Sequence, residues 1–204
     1  MSMVLTTLWQ FVTMMLVAIF VQNAVFTRAL GASRLVFLVR ESSMDGVIFC
    51  SLLTMIQVMS APMAYFANYI IGQPSVWFRD YIRPLVLMVC AIVAFIVVMF
   101  IVFLLKPAHT KEIMAALPMA TFNSAVLGPM LLTATSRFTF VETMGFALGS
   151  GLGYGLAVML LTEGQRKLNN RNVPVAFRGL PINLLYIGIL ALAIYGITGH
   201  RLSY

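Results

Sequence analysis

The chain alternates long uncharged apolar runs with short charged stretches, and the few polar positions inside the runs set one run apart from another. A bilayer core takes about 20 apolar residues of helix. The first run, 4–26, carries no charge. Residues 27–40 follow, with Arg28, Arg34 and Arg40 around an apolar patch too short to span, which predicts a re-entrant or interfacial half-helix. Glu41-Ser42-Ser43-Met44-Asp45 reads as a capped, acidic helix start. The second run continues to Phe78, with Pro62 and Gly72-Gln73-Pro74 as expected breaks, and fits one span plus an outer loop segment. The third, 84–105, is apolar on every face, as lipid exposure allows, and Lys106-Pro107 ends it. The fourth, 112–135, is interrupted at Pro118, Asn123-Ser124 and Gly128-Pro129. The fifth, 140–162, holds Gly145, Gly149 and Gly153 four apart, with Gly151 and Gly155 beside them. Bare backbone at that spacing permits close helix packing, its expected use here, with an ion path beside the face as the alternative. The sixth covers 180–198.

Two of the interruptions are alike. Phe122-Asn123-Ser124-Ala125-Val126-Leu127-Gly128 places an amide and a hydroxyl deep inside a span, where polar groups must face protein, ligand or a cavity. Val21-Gln22-Asn23-Ala24-Val25, followed by Leu30-Gly31-Ala32-Ser33, repeats the idea in the first half. Three spans per half, each half with one broken segment, predict a 3+3 inverted repeat, because an odd number of crossings flips the second copy. The fold expected is therefore all-α and integral to the membrane: one domain over 1–204, repeats at 1–105 and 106–204, half-helices meeting near the midplane. The candidate residues for an ion path or half-helix motif are Gln22, Asn23, Gly31 and Ser33 in the first half and Thr121, Asn123, Ser124 and Gly128 in the second. Structural hydrogen bonding between helices is an equally weighted role for them.

Composition agrees with the pattern. The chain is 61% hydrophobic and 9% charged, against roughly 25% charged in soluble domains. The net charge of +7 lies in short loops, where it sets topology and meets anionic lipid; no soluble module is present to bind nucleic acid. The odd-numbered connections carry Arg28, Arg34, Arg40, Lys106, Lys111, Arg166, Lys167, Arg171 and Arg178; the even-numbered side carries Arg79, Arg83, Arg137 and Arg201. That asymmetry predicts a cytoplasmic membrane protein with both termini outside. The first charge is Arg28, so the first run lacks the basic start of a signal peptide and is expected to remain as a span. Cys50 and Cys90 sit in apolar runs without a C-x-x-C or Cys/His grouping, and His109 and His200 sit at loop or terminal positions. No phosphate loop, catalytic triad or metal-ligand spacing occurs. Glu142 and Glu163 flank the fifth run and Asp45, Asp80 and Glu112 lie near ends, so no buried acid is available to carry protons. Ion passage would use amides, hydroxyls and freed carbonyls.

Three stretches resemble a known family, the small six-helix membrane subunits of the Rnf and Nqr complexes, closest to the RnfA/NqrE type. Val21-Gln22-Asn23 with Leu30-Gly31-Ala32-Ser33 is similar to its V-N-N run followed by L-G-x-C. Leu117-Pro118 with Asn123-Ser124-Ala125-Val126-Leu127-Gly128 is similar to L-P…N-C-A-V-L-G, and Val173-Pro174-Val175-Ala176-Phe177-Arg178-Gly179 to V-P-x-x-F-R-G. The resemblance implies a place in an ion-translocating electron-transport complex, between ferredoxin or NADH and an acceptor, coupled to Na⁺ or H⁺ movement. It implies as partners an oppositely oriented paralogous membrane subunit together with further Rnf/Nqr-type subunits. In such a pair each chain gives two cysteines to a shared iron–sulfur cluster. Here both positions are serine, Ser33 and Ser124; a neutral hydroxyl is a poor substitute for thiolate. The expectation is a scaffold or ion-path subunit with no cofactor of its own, iron–sulfur and flavin residing in partners. A cluster-free transporter on the same inverted-repeat fold is the alternative.

Overall fold

The computed structural model describes residues 2–40, 46–71, 78–105, 110–168, 174 and 177–199. The capped start at 41–45, the Gly72-Gln73-Pro74 break, Lys106-Pro107, both histidines and most of the 173–179 motif lie outside these residues.

The apolar runs fold as helices: α1 (Ser2–Leu16), prolonged by a π-helical turn (Val17–Val21), α2 (Ala32–Arg40), α3 (Gly46–Ile71), α4 (Arg79–Leu105), α5 (Thr110–Thr121), α6 (Ser124–Thr135), α7 (Phe140–Leu168) and α8 (Leu180–Thr198). Five are long and apolar enough to cross a membrane, and α5–α6, bent by 45°, makes a sixth crossing as one broken span. The protein is a multi-pass, all-α membrane protein. Its outward surface is apolar, with Leu85, Phe100, Phe103, Ile189, Leu192 and Ile197 among the exposed side chains, as a bilayer solvent permits.

The core is an antiparallel pair, α3 against α7. Gly155 faces Cys50, Gly151 faces Thr54, and Gln57 reaches Ser150, so the two helices run in opposite directions. Along α7 runs the first broken path. A Cβ on Gly145 would meet the Phe11 carbonyl, one on Gly149 the Met15 carbonyl and Ala18, and one on Gly153 the Asn23 amide. α1 is therefore parallel to α7, and the glycine face is used for packing, its backbone pressed on the backbone of α1. α2 keeps the same heading, since Gly31 sits at Tyr154 and Leu38 beside Gly46 and Val158. The half-helix at 32–40 is thus the second half of a broken span and does not double back.

The second broken path lies along α3 in the same way. Gln57 bonds to Ala125, Ser60 to Met130 and Asn68 to Ala134, so α6 is parallel to α3. α4 packs on α3, and α8 on α7. Three expected breaks are absent: Pro62, Pro118 and Pro129 all sit inside continuous helices, and the fourth span breaks at 122–123 alone. Arg28 and Arg34 also move: they lie at the first break and the first turn of α2, level with mid-α7, and not in a loop. Setting them aside leaves the odd-numbered side ahead, seven basic residues to four.

Candidate functional site

The two breaks meet. The N–H of Gly31, at the start of α2, donates to Ser124 Oγ, at the start of α6, at 2.9 Å across a sequence separation of 93. Only glycine fits there, for two reasons. Its φ is +72°, left-handed backbone that costs a residue with Cβ. A Cβ would also lie 2.9 Å from both Asn123 Oδ1 and Tyr154 Cε2. Gly128, one turn into α6, is bare because Leu30 occupies the space of its missing side chain.

Each break is organised by an asparagine in the same manner. Asn123 has extended backbone (φ −105°, ψ 136°) and caps α6, its Oδ1 accepting the Ala125 N–H at 3.1 Å. Asn23 Oδ1 accepts the Val25 N–H at 2.9 Å, again two residues on. Both are buried. Their amide nitrogens differ: Asn23 Nδ2 donates to the Ile19 and Gly153 carbonyls, while Asn123 Nδ2 has no hydrogen-bond partner. Gln22 is half-buried; its N–H closes the π turn on Val17 at 2.7 Å and its Oε1 is unpartnered. Thr121 is buried with its hydroxyl on the Leu117 carbonyl at 2.8 Å, a bond within α5. Ser33 stands exposed on α2, and Ser124 is exposed beyond its bond to Gly31. All eight candidates thus lie in or beside the two breaks, but Ser33 points to the exposed surface and the Thr121 hydroxyl is spent within its helix.

The electrostatics of this junction are positive. The N-termini of α2 and α6 both begin there, each turning the positive end of a helix dipole toward the junction. Arg28 stands exposed in the break and Arg34 one turn beyond Gly31. Such a junction suits electron-rich groups and resists a bare cation.

The hydropathy pattern alone does not reveal Gln57. It sits in an unbroken apolar run, is 1% exposed, and its Nε2 donates to the Ala125 carbonyl at 2.5 Å and to Ser150 Oγ at 3.4 Å. The reason is Pro129. Proline has no N–H to return to the carbonyl four residues back, which frees Ala125, and Gln57 supplies the missing donor. Tyr154, wholly buried at the crossing of α7 with the junction, is equally inconspicuous in the sequence; its hydroxyl is 3.4 Å from the Gly31 carbonyl.

Fold and site define a class: a multi-pass membrane protein with two broken helices joined at the starts of their second halves. The family model described as "Rnf-Nqr subunit, membrane protein" matches residues 11–200, and the chain belongs to that family. It is 30% identical over 191 residues to the A-type subunit of the Na⁺-translocating ferredoxin:NAD⁺ oxidoreductase complex of Acetobacterium woodii, covering 93% of this chain and 97% of the relative. It is 31% identical over 146 residues, 72% of this chain and 75% of the relative, to the A-type subunit of the ion-translocating oxidoreductase complex of Syntrophotalea carbinolica. The E-type subunit of the Na⁺-translocating NADH-quinone reductase of Chlamydia trachomatis is 28% identical over 197 residues, 91% of this chain and 80% of the relative.

The junction residues do not fit the iron–sulfur cluster that the resemblance implies. The two ligand positions offer hydroxyls, and the Ser124 oxygen already accepts the Gly31 N–H. The thiols are elsewhere: Cys50 lies on α3 beside Gly155, and Cys90 is buried against the core on α4.

Proposed function

We propose that the chain is a membrane subunit of an Rnf/Nqr-type ion-translocating electron-transport complex in the bacterial or archaeal cytoplasmic membrane, serving as a scaffold or ion-path component without its own cluster. The observation that carries the reading is the Gly31–Ser124 bond, which joins the two family motifs at one point. Ser33, Ser124 and Arg28 are exposed at mid-bilayer depth, where lipid is a costly neighbour for polar groups. A second protein surface, that of an inverted paralogue, is the cover we assign to them; flavin and iron–sulfur centres belong to such partners.

The inverted repeat, 1–105 and 106–204, is part of the proposal. Its support is the matched set of contacts: α1 and α2 on α7, α5 and α6 on α3, α4 on α3, α8 on α7. Both termini are assigned to the outside.

The test is isolation of the tagged chain from its native membrane in mild detergent, with partners identified by mass spectrometry and iron and flavin measured. Flavin- and iron-bearing partners together are the expected result. A colourless, iron-free self-pair that moves an ion without any redox partner would overturn the reading in favour of a transporter.

A further inference from the structure

Arg28 is a full charge set far from either end of a span. It lies in the first break, between Asn23, which bonds to the Gly153 carbonyl, and Gly31, which sits against Tyr154. The turn between them is closed by the Thr27 N–H on the Asn23 carbonyl at 3.0 Å and the Leu30 N–H on the Ala24 carbonyl at 2.9 Å. Arg28 therefore keeps the level of those two α7 residues. Gly153 stands 13 residues after Phe140 and Tyr154 stands 14 before Leu168, about 20 Å of helix from either end. The Arg28 side chain is exposed and, among the described residues, has neither a hydrogen bond nor an ion pair. Arginine does not shed its proton. A guanidinium left against hydrocarbon is costly, and headgroup phosphates lie at the ends of the spans, beyond the reach of snorkelling from this level.

We infer that Arg28 is the cationic half of an ion pair across a membrane-embedded subunit interface, the anionic half being a carboxylate side chain of a partner of different sequence. Among the described residues no acid of this chain shares its level. Asp80, Glu112 and Glu142 stand in the first turns of α4, α5 and α7, and Glu163 is five residues from the end of α7; Glu41 and Asp45 lie outside the described residues. A second copy is no better. A closed pair of identical chains formed through this face sets the same patch against itself, so Arg28 would meet Arg28, and like charges repel strongly where the dielectric is low. The surroundings favour a negatively charged acceptor. α2 and α6 turn the positive ends of their dipoles toward the Gly31–Ser124 bond, three residues on from Arg28. Ser124 Oγ accepts the Gly31 N–H, which leaves its own hydrogen to donate outward, and Ser33 offers a second exposed hydroxyl. A carboxylate also matches the guanidinium geometrically, since it can accept two parallel N–H bonds at once.

This deepens the partner half of the proposed function and rests on it. The test starts with a photo-crosslinking amino acid at position 28 in the native membrane. The segment it captures should belong to another membrane subunit and contain Asp or Glu. Subunit dissociation on dilution is then measured for the purified complex. Arg28→Gln should weaken association by about a hundredfold or more, as removing one side of a buried pair does, and Arg28→Lys should retain most of it. Arg28→Glu should dissociate the complex, and replacing the captured acid by Arg should restore it. Because Arg28 has no partner within its own described chain, the isolated variants should unfold at the wild-type temperature. An isolated Arg28→Gln chain that unfolds earlier assigns the charge to this chain's own fold and overturns the pair. So does a complex that Arg28→Gln holds as tightly as the wild type, or a cross-link only to lipid or to a second copy; in these cases co-purifying partners still support complex membership. A wild type that isolates without partners overturns complex membership and the ion pair with it.

Discussion

At the scale of single residues, the junction hinges on one hydroxyl. Ser124→Ala leaves the buried Gly31 N–H without an acceptor, and an orphaned buried donor costs about 1–3 kcal/mol. Ser33→Ala on exposed α2 surface should stay within about 0.5 kcal/mol. Thermal unfolding of both variants of the purified chain in detergent checks this, and equal losses would mean that the bond does not hold the junction. Asn123 and Ser124 are legible in the sequence because uncharged polar groups stand out in a long apolar span. Gln57 is not, since its partner carbonyl is freed by Pro129, 72 positions further on and invisible before folding. Arg34 misleads for a related reason: counted in the sequence with the loop charges, it stands in the first turn of α2, level with mid-α7.

At the scale of elements, periodicity locates the helices well and proline locates the breaks badly. Spans three, five and six appear close to their expected bounds, and the glycine face of α7 packs as four-residue spacing suggests. Pro62, Pro118 and Pro129 all sit inside continuous helices, and at Pro129 the lost bond is replaced from a neighbouring helix, by Gln57 on the Ala125 carbonyl. What breaks the fourth span is Asn123, whose side-chain oxygen takes the Ala125 N–H. The α1–α7 contact gives a direct test. Gly149→Ala would drive a methyl into the Met15 carbonyl of α1, and because backbone cannot yield as a side chain does, the cost should reach about 2–3 kcal/mol. Gly188→Ala on α8 meets nothing within 4 Å and removes a poor helix former, so stability should hold or rise. Comparable unfolding midpoints for the two variants would mean that α1 is not seated on those glycines.

At the scale of the whole molecule, topology follows from the parallel and antiparallel relations between helices together with the charge at their ends. α1, α7 and α2 share one direction, so if the N-terminus is outside, α7 must start outside and finish at Glu163, Arg166 and Lys167 inside. Basic residues resist translocation, and that end of α7 is richer in them than the α6–α7 turn, whose single basic residue is Arg137. In a chain with Cys50 and Cys90 replaced by serine, Ser136→Cys should react with an impermeant thiol reagent added to intact cells, whereas Gln165→Cys should react only after the membrane is opened. The reverse pattern would turn the molecule over. It would place Asn68 and the α6–α7 turn on the cytoplasmic side and the basic end of α7 outside, against the charge asymmetry of the connections.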